Sequence, residues 1–229
     1  MMKRLLIANA LFLLAMVSTA YAGYNEASAS FRNGDYITAY NEFRVLADQG
    51  DARSQNMLGF MNDTGQGVPQ NYAEAMIWYT KAAGQGLSDA QYNIGIMYAR
   101  GKGLPQNQAE AIKWFMMAAE QGHARAQNTL GFTFATGQGV AQDFVEGGKW
   151  YRKAADQGLA SAQANLGEMY ANGQGVPQDL VRAHMWFNLA VAGGYADAQQ
   201  KRDAIAGKMT PAQLAEAQRL ATEWMLSRK

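Results

Sequence analysis

No cysteine occurs among the 229 residues. Disulfides and thiolate metal sites are therefore excluded, and the fold has to be held by packing alone. Proline is scarce, 4 residues against 24 glycines, so many turns end on Gly and not on Pro. Neither sign of charge is in large excess, with 20 Lys and Arg against 19 Asp and Glu. Such a surface offers no electrostatic reason to expect nucleic acid or anionic lipid as a partner. Only two histidines are present, His123 and His184, with no thiol to join them. No zinc spacing and no His-Glu-x-x-His occurs, and no Ser-x-x-Lys follows residue 22. No stretch alternates in the manner of a β-strand, so a sheet is not expected.

One apolar run stands out, Leu5 to Val17 behind Lys3 and Arg4. With Ala20-Tyr21-Ala22 after it, residues 1–22 read as a cleavable signal peptide, too short to span a bilayer, which needs about 20 apolar residues. Removing it takes away two of the 20 cations and no acid, leaving 18 against 19, a formal net of −1. The remainder has no candidate span and no Cys for lipidation, so a periplasmic or secreted protein is expected.

The 11% of aromatic residues is too many for a disordered chain. They recur in step: Trp78, Trp114, Trp150 and Trp186 lie 36 residues apart. The same step separates Gln49-Gly50, Gln85-Gly86, Gln121-Gly122 and Gln157-Gly158, and the turns starting at Gly65, Gly101, Gly137 and Gly173. A period in the range of about 20–50 residues means a solenoid or array of repeats.

Each unit reads as two helices. In the first, Ala90, Ile94, Met97 and Tyr98 share one helix face. A mid-helix glycine (Gly59, Gly95, Gly131, Gly167) costs about 1 kcal/mol relative to Ala, so its recurrence predicts a compensating close approach between helix backbones. A Gly-x-Gly turn stops the helix. The second helix starts with a capping box at Asn71/Glu74, Asn107/Glu110 and Asp143/Glu146, whose acid is lost at Asp179/Arg182. Trp114, Phe115, Ala118 and Ala119 form its buried stripe. Thr210, Pro211 and Gln213 predict a capped last helix. The implied organisation is a capping pair over 23–50, four repeats over 51–194 and capping helices over 195–229. The fold class is all-α, a right-handed α-solenoid of helix-turn-helix repeats.

These motifs resemble the Sel-one-like repeat family, a relative of tetratricopeptide repeats. The pattern Ala-x-Ala-Gln-x-x-Leu-Gly-x-x-Tyr is seen at Ala160 to Tyr170. Gly-x-Gly-Val follows at Gly173 to Val176, and the Trp-containing second helix at Ala183 to Ala190, closed by Gly193. The resemblance implies a tetratricopeptide-like superhelix whose first helices line its concave side, and an adaptor or scaffold role. A cysteine-rich secreted branch of the family is described as binding or hydrolysing β-lactams. That branch carries a disulfide in each repeat, from which this chain departs.

Nothing in the residues points to catalysis. His123 aligns with Asp51, Leu87 and Leu159, and both histidines read as surface or half-buried residues. Gly86-Leu87-Ser88-Asp89-Ala90 lacks the final Gly and the preceding strand of a nucleophile elbow, and Ser88 fits an N-cap. The Gly-x-Gly turns lack the third Gly and the strand of a phosphate loop. No cofactor is implied.

Positions that vary among the repeats are free of structural duty. On the first helices these fall on one face: Arg53, Asn56 and Phe60; Asp89, Tyr92 and Ile96; Arg125, Asn128 and Phe132. Aromatic anchors ringed by Arg and amides suit a protein or peptide partner. Equally, Phe60, Ile96 and Phe132 fit a seam between neighbouring repeats, with Glu168 at the equivalent place arguing against full burial. The expected function is an exported non-catalytic adaptor. The alternatives are an inhibitor or immunity protein for one enzyme, and a cell-wall or β-lactam hydrolase.

Overall fold

A computed structural model describes residues 23–228 of the chain, and the expected signal peptide at 1–22 lies outside them. The described residues are all-α, with no strand among them. They divide into two compact units, one ending at Asn107 and one beginning at Gln108.

The first unit holds α1 (23–32), α2 (Tyr36–Asp48), α3 (Ala52–Thr64), α4 (Tyr72–Gly84) and α5 (Ser88–Arg100). Its core gathers Ala27, Ala39, Phe43, Leu58, Met61 and Trp78, with Tyr24 packed on Phe43. The second unit holds α6 (Gln108–Glu120), α7 (Ala124–Thr136), α8 (Phe144–Asp156), α9 (Ala160–Asn172), α10 (Leu180–Ala192), α11 (Asp197–Ala206) and α12 (Pro211–Leu226). Leu166, Trp186, Phe187, Leu189 and Ile205 fill its largest cluster, and Trp224 of α12 meets Trp186 edge to face at 6.0 Å. Trp78, Trp150 and Trp186 are buried as the repeat pattern requires, but Trp114 on α6 is only half-buried.

The mid-helix glycines serve a different contact from the one expected. A Cβ on Gly59 would lie 2.5 Å from the Tyr79 ring, one on Gly131 2.5 Å from the Tyr151 ring, and one on Gly167 2.9 Å from Phe187. The glycine admits a buried aromatic ring from the second helix of its own repeat, and at Gly131 the two backbones also come close, since a Cβ on Gly147 would lie 2.9 Å from Gly131 O. Burial of that ring outweighs the helix-propensity cost of glycine, since an aromatic side chain removes about 150–250 Å² from water. It also raises the pKa of the Tyr79 and Tyr151 hydroxyls, with Asp63 and Glu168 as smaller contributors.

The two turn glycines have separate tasks. The first takes a left-handed C-cap conformation (φ 75° at Gly65) and its N–H closes on Met61 O. The second makes close contact with the start of the preceding second helix: a Cβ on Gly67 would sit 2.4 Å from Tyr36 O.

Capping departs from expectation in two places. Asn71, Asp143 and Asp179 each accept from the N–H three residues on. The reciprocal bond from a glutamate is unnecessary, because each cap's own N–H donates to a first-helix carbonyl: Asn71 to Asn62 O, Asp143 to Phe134 O and Asp179 to Tyr170 O. This is why Arg182 can stand where its counterparts are acids. A full capping box forms only at Thr210/Gln213 among the described caps. For α5 the N-cap is Leu87, without a side-chain bond, and Ser88 is the first helical residue. Its equivalents Asp51 and His123 do cap, accepting from Ser54 N at 2.7 Å and Ala126 N at 3.0 Å. The position of His123 thus has a role that leucine can vacate.

Candidate functional site

The first helices α3, α7 and α9 are tied to their neighbours by glutamines on the buried side. Gln55 Nε2 donates to Ala47 O at 3.1 Å, Gln127 Nε2 to Ala119 O at 3.0 Å, and Gln163 Nε2 to Ala155 O at 3.3 Å. The glutamine of the Gln-Gly pair completes the relay, Gln85 donating to Gln55 Oε1 and Gln157 to Gln127 Oε1. Buried amides need such partners to offset desolvation. They fix each first helix in register and leave its opposite face outward.

In the first unit that face carries Arg53, Asn56 and Phe60 on α3 beside Asp89, Tyr92 and Ile96 on α5. The helices meet there through a side-chain bond from Asn93 Nδ2 to Asn56 Oδ1 at 3.0 Å. Phe60 remains 36% exposed, although it touches Phe31 edge to face at 6.1 Å. Ile96 is half-buried. Arg53 lies over the Tyr24 ring at 4.2 Å and pairs with Asp51 at 3.5 Å. Lys102 bridges to both carboxylate oxygens of Asp63 at 2.7 and 2.8 Å.

The second unit repeats the arrangement. Arg125, Asn128 and Phe132 project from α7, and Asn165 Nδ2 of α9 donates to Asn128 Oδ1 at 3.0 Å. Arg125 is exposed, and Phe132 is 45% exposed at the edge of a cleft of about 460 Å³ that also takes in Tyr151 and Glu168. Glu168 in turn pairs with Lys201 of α11.

Asn93 and Asn165 were not among the expected site residues. Each falls 37 residues after its partner, a spacing shared by alternate repeats only. Their bonds give Asn56 and Asn128 a structural contact in addition to any outward role.

His184 is buried on α10, more deeply than expected, and its Nδ1 has no hydrogen-bond partner. Burial, then the nearby Arg202, lowers its pKa, with Asp203 opposing. No group of three or more His, Asp or Glu placed to hold a metal ion occurs among the described residues. No described helix is long and apolar enough to cross a membrane.

An all-α array of hairpins with an outward face of mixed aromatic, amide and arginine side chains defines a helical-repeat scaffold. The Sel1 repeat model matches residues 52–87, 88–123, 124–159 and 160–195, well over half the chain, and the chain belongs to the Sel1 repeat family. Among solved structures it is similar to a Sel1 repeat protein from Oxalobacter formigenes, at 37% identity and a TM-score of 0.74 over 78% of this chain and 73% of that one. It is also similar to a protective antigen with this fold from uropathogenic Escherichia coli, at 29% identity and a TM-score of 0.54. That match covers 90% of this chain and 53% of the antigen. An immunity protein from Pseudomonas aeruginosa shares the fold at 22% identity and a TM-score of 0.59, over 90% and 80% of the two chains. No curated protein is matched.

Proposed function

We propose that the chain is an exported, non-catalytic adaptor that holds a protein or peptide partner on the outward face of its first helices. The observation that carries this reading is the exposure of Phe60 and Phe132, 36% and 45%, at equivalent places on α3 and α7. Full burial of such a side chain is worth about 1.5–3 kcal/mol, of which the exposed fraction, about 0.5–1.4 kcal/mol for each of the two rings, is gained only when a partner covers it. Arg53 with Asn56, and Arg125 with Asn128, add polar groups next to these anchors. Asp89, Tyr92 and Ile96 extend the face on α5. This mix of aromatic, Arg and amide groups is that of a protein interface. Export rests on the leader pattern of residues 1–22.

Membership of a repeat-scaffold family supports binding over catalysis. A second reading is an inhibitor or immunity protein whose partner is one enzyme, and one of the similar structures is named as an immunity protein. The likeness to that protein is one of fold and does not choose the partner.

The test is a crosslinking pull-down from the native envelope with the wild-type chain and with Phe60→Ser/Phe132→Ser, both checked for helix content and melting temperature. The variant is expected to keep its fold and lose the captured partner. An unchanged set of captured proteins would sink the assignment. Sustained turnover of nitrocefin or peptidoglycan, abolished by one substitution, would overturn the non-catalytic reading.

A further inference from the structure

Two clefts in the unit from Gln108 onward are built from equivalent positions one repeat apart. The first, about 460 Å³, is walled by Phe144, Tyr151 and Met169. The second, about 480 Å³, has Leu180, Phe187 and Ile205, each 36 residues later, in the same places. The apolar walls persist while the rim changes. Phe132 gives way to Glu168, and Asn165 to Lys201, and Lys208 also lines the second cleft. Both volumes fall within the roughly 300–1,000 Å³ of ligand sites.

The rim of the second cleft therefore carries two ammonium groups against one carboxylate. Glu168 engages Lys201, and both side chains are more than two-fifths exposed, so the pair is open to competition from a ligand carboxylate. Lys201 and Ile205 are four residues apart on α11 and share one face of it. An apolar wall and a surplus cation are thus set side by side. The complementary ligand bears an apolar group and a carboxylate on the same short fragment. Within a polypeptide, a single residue carries both only at the free C-terminus.

We infer that the cleft between α9 and α11 is a receptor for the C-terminus of a peptide, with the last, apolar side chain among Leu180, Phe187 and Ile205 and its carboxylate on Lys201 and Lys208. This rests on the reading of the first-helix face as peptide-binding, and it names the part of the partner that is gripped.

The test uses the full chain and the fluorescein-labelled peptide Gly-Ser-Gly-Ser-Leu-Phe, titrated by fluorescence polarisation as the free acid, as the C-terminal amide and with the last Phe replaced by Gly. The free acid is expected to bind about tenfold more tightly than the amide, the difference expected for a charge-assisted contact, and the advantage shrinks as salt is raised. Replacing the last Phe by Gly removes binding. Lys201→Gln and Lys208→Gln each erase most of the acid-over-amide preference and leave the amide unaffected. Glu168→Gln, which releases Lys201, strengthens binding of the acid. Equal affinity for acid and amide, no binding of either, or binding of a fatty acid such as decanoate without the peptide would overturn the inference. If the peptide fails while Phe60→Ser/Phe132→Ser still abolishes partner capture, only the receptor is lost. If the peptide binds and capture is unaffected by those two substitutions, the fault lies with the placement of the partner over Phe60 and Phe132.

Discussion

Substituting Gly131 by alanine places a methyl carbon 2.5 Å from Cδ1 of Tyr151 and 2.8 Å from Cγ and Cε1. These atoms belong to the body of the ring, which is 4% exposed and has little room to retreat. Overpacking of this kind costs about 1–3 kcal/mol. Replacing a mid-helix glycine returns about 1 kcal/mol of helix propensity, so the net loss reaches about 2 kcal/mol where the ring cannot move. For a chain of this length that lowers the melting temperature by up to about 8 °C. Gly84 provides the control, because it is also helical, at the end of α4, yet a Cβ there meets nothing within 4 Å. Gly84→Ala is expected to stabilise by about 0.4–1 kcal/mol through the unfolded state. Thermal unfolding followed by far-ultraviolet circular dichroism reads both. A rise in melting temperature for both variants would refute the claim that the recurrent glycine exists to admit the ring.

Two further outcomes follow from the buried polar groups. His184 has a folded-state pKa below its ordinary value of about 6.5, so the unfolded chain binds the proton more readily. Its contribution is complete above about pH 6.5 and is lost as the pH falls from there through the folded pKa. The melting temperature of wild type is expected to drop over that acid window, and His184→Gln to flatten the drop; parallel pH profiles for the two would contradict it. Gln127→Ala removes the donor to Ala119 O and the acceptor of Gln157, and loss of a buried partner costs about 1–3 kcal/mol. Urea titration should show a lower midpoint for Gln127→Ala, and an unchanged midpoint would show that water replaces the relay.

The repeat and its two helices were legible in the sequence because a strict 36-residue step exposes which positions every unit needs. Side chains that meet across the hairpin were less so. The step marks Gly131 as invariant and the place of Tyr151 as always Tyr or Phe, without saying that one receives the other. The capping glutamates looked functional because the local Ser/Thr/Asp-x-x-Glu pattern is a known start signal. The acceptor that replaces them, a carbonyl nine residues upstream, has no side chain to announce it. Asn56 and Asn128 looked free because alternate repeats differ there, yet a two-repeat period with Asn93 and Asn165 underlies the difference. Lys201 lies past the four full repeats, so its place on the rim of a cleft emerged only from the placement of α11.

The most direct test of the central claim is site-specific photo-crosslinking in the native envelope. A photoreactive residue replaces Phe60 or Phe132 in turn, and, as controls, Ile77 or Val145, which are 50% and 54% exposed on second helices. Discrete protein adducts from positions 60 and 132, with none from 77 and 145, are the predicted result. Adducts from 77 and 145 alone would place the partner on the opposite helices and contradict the account.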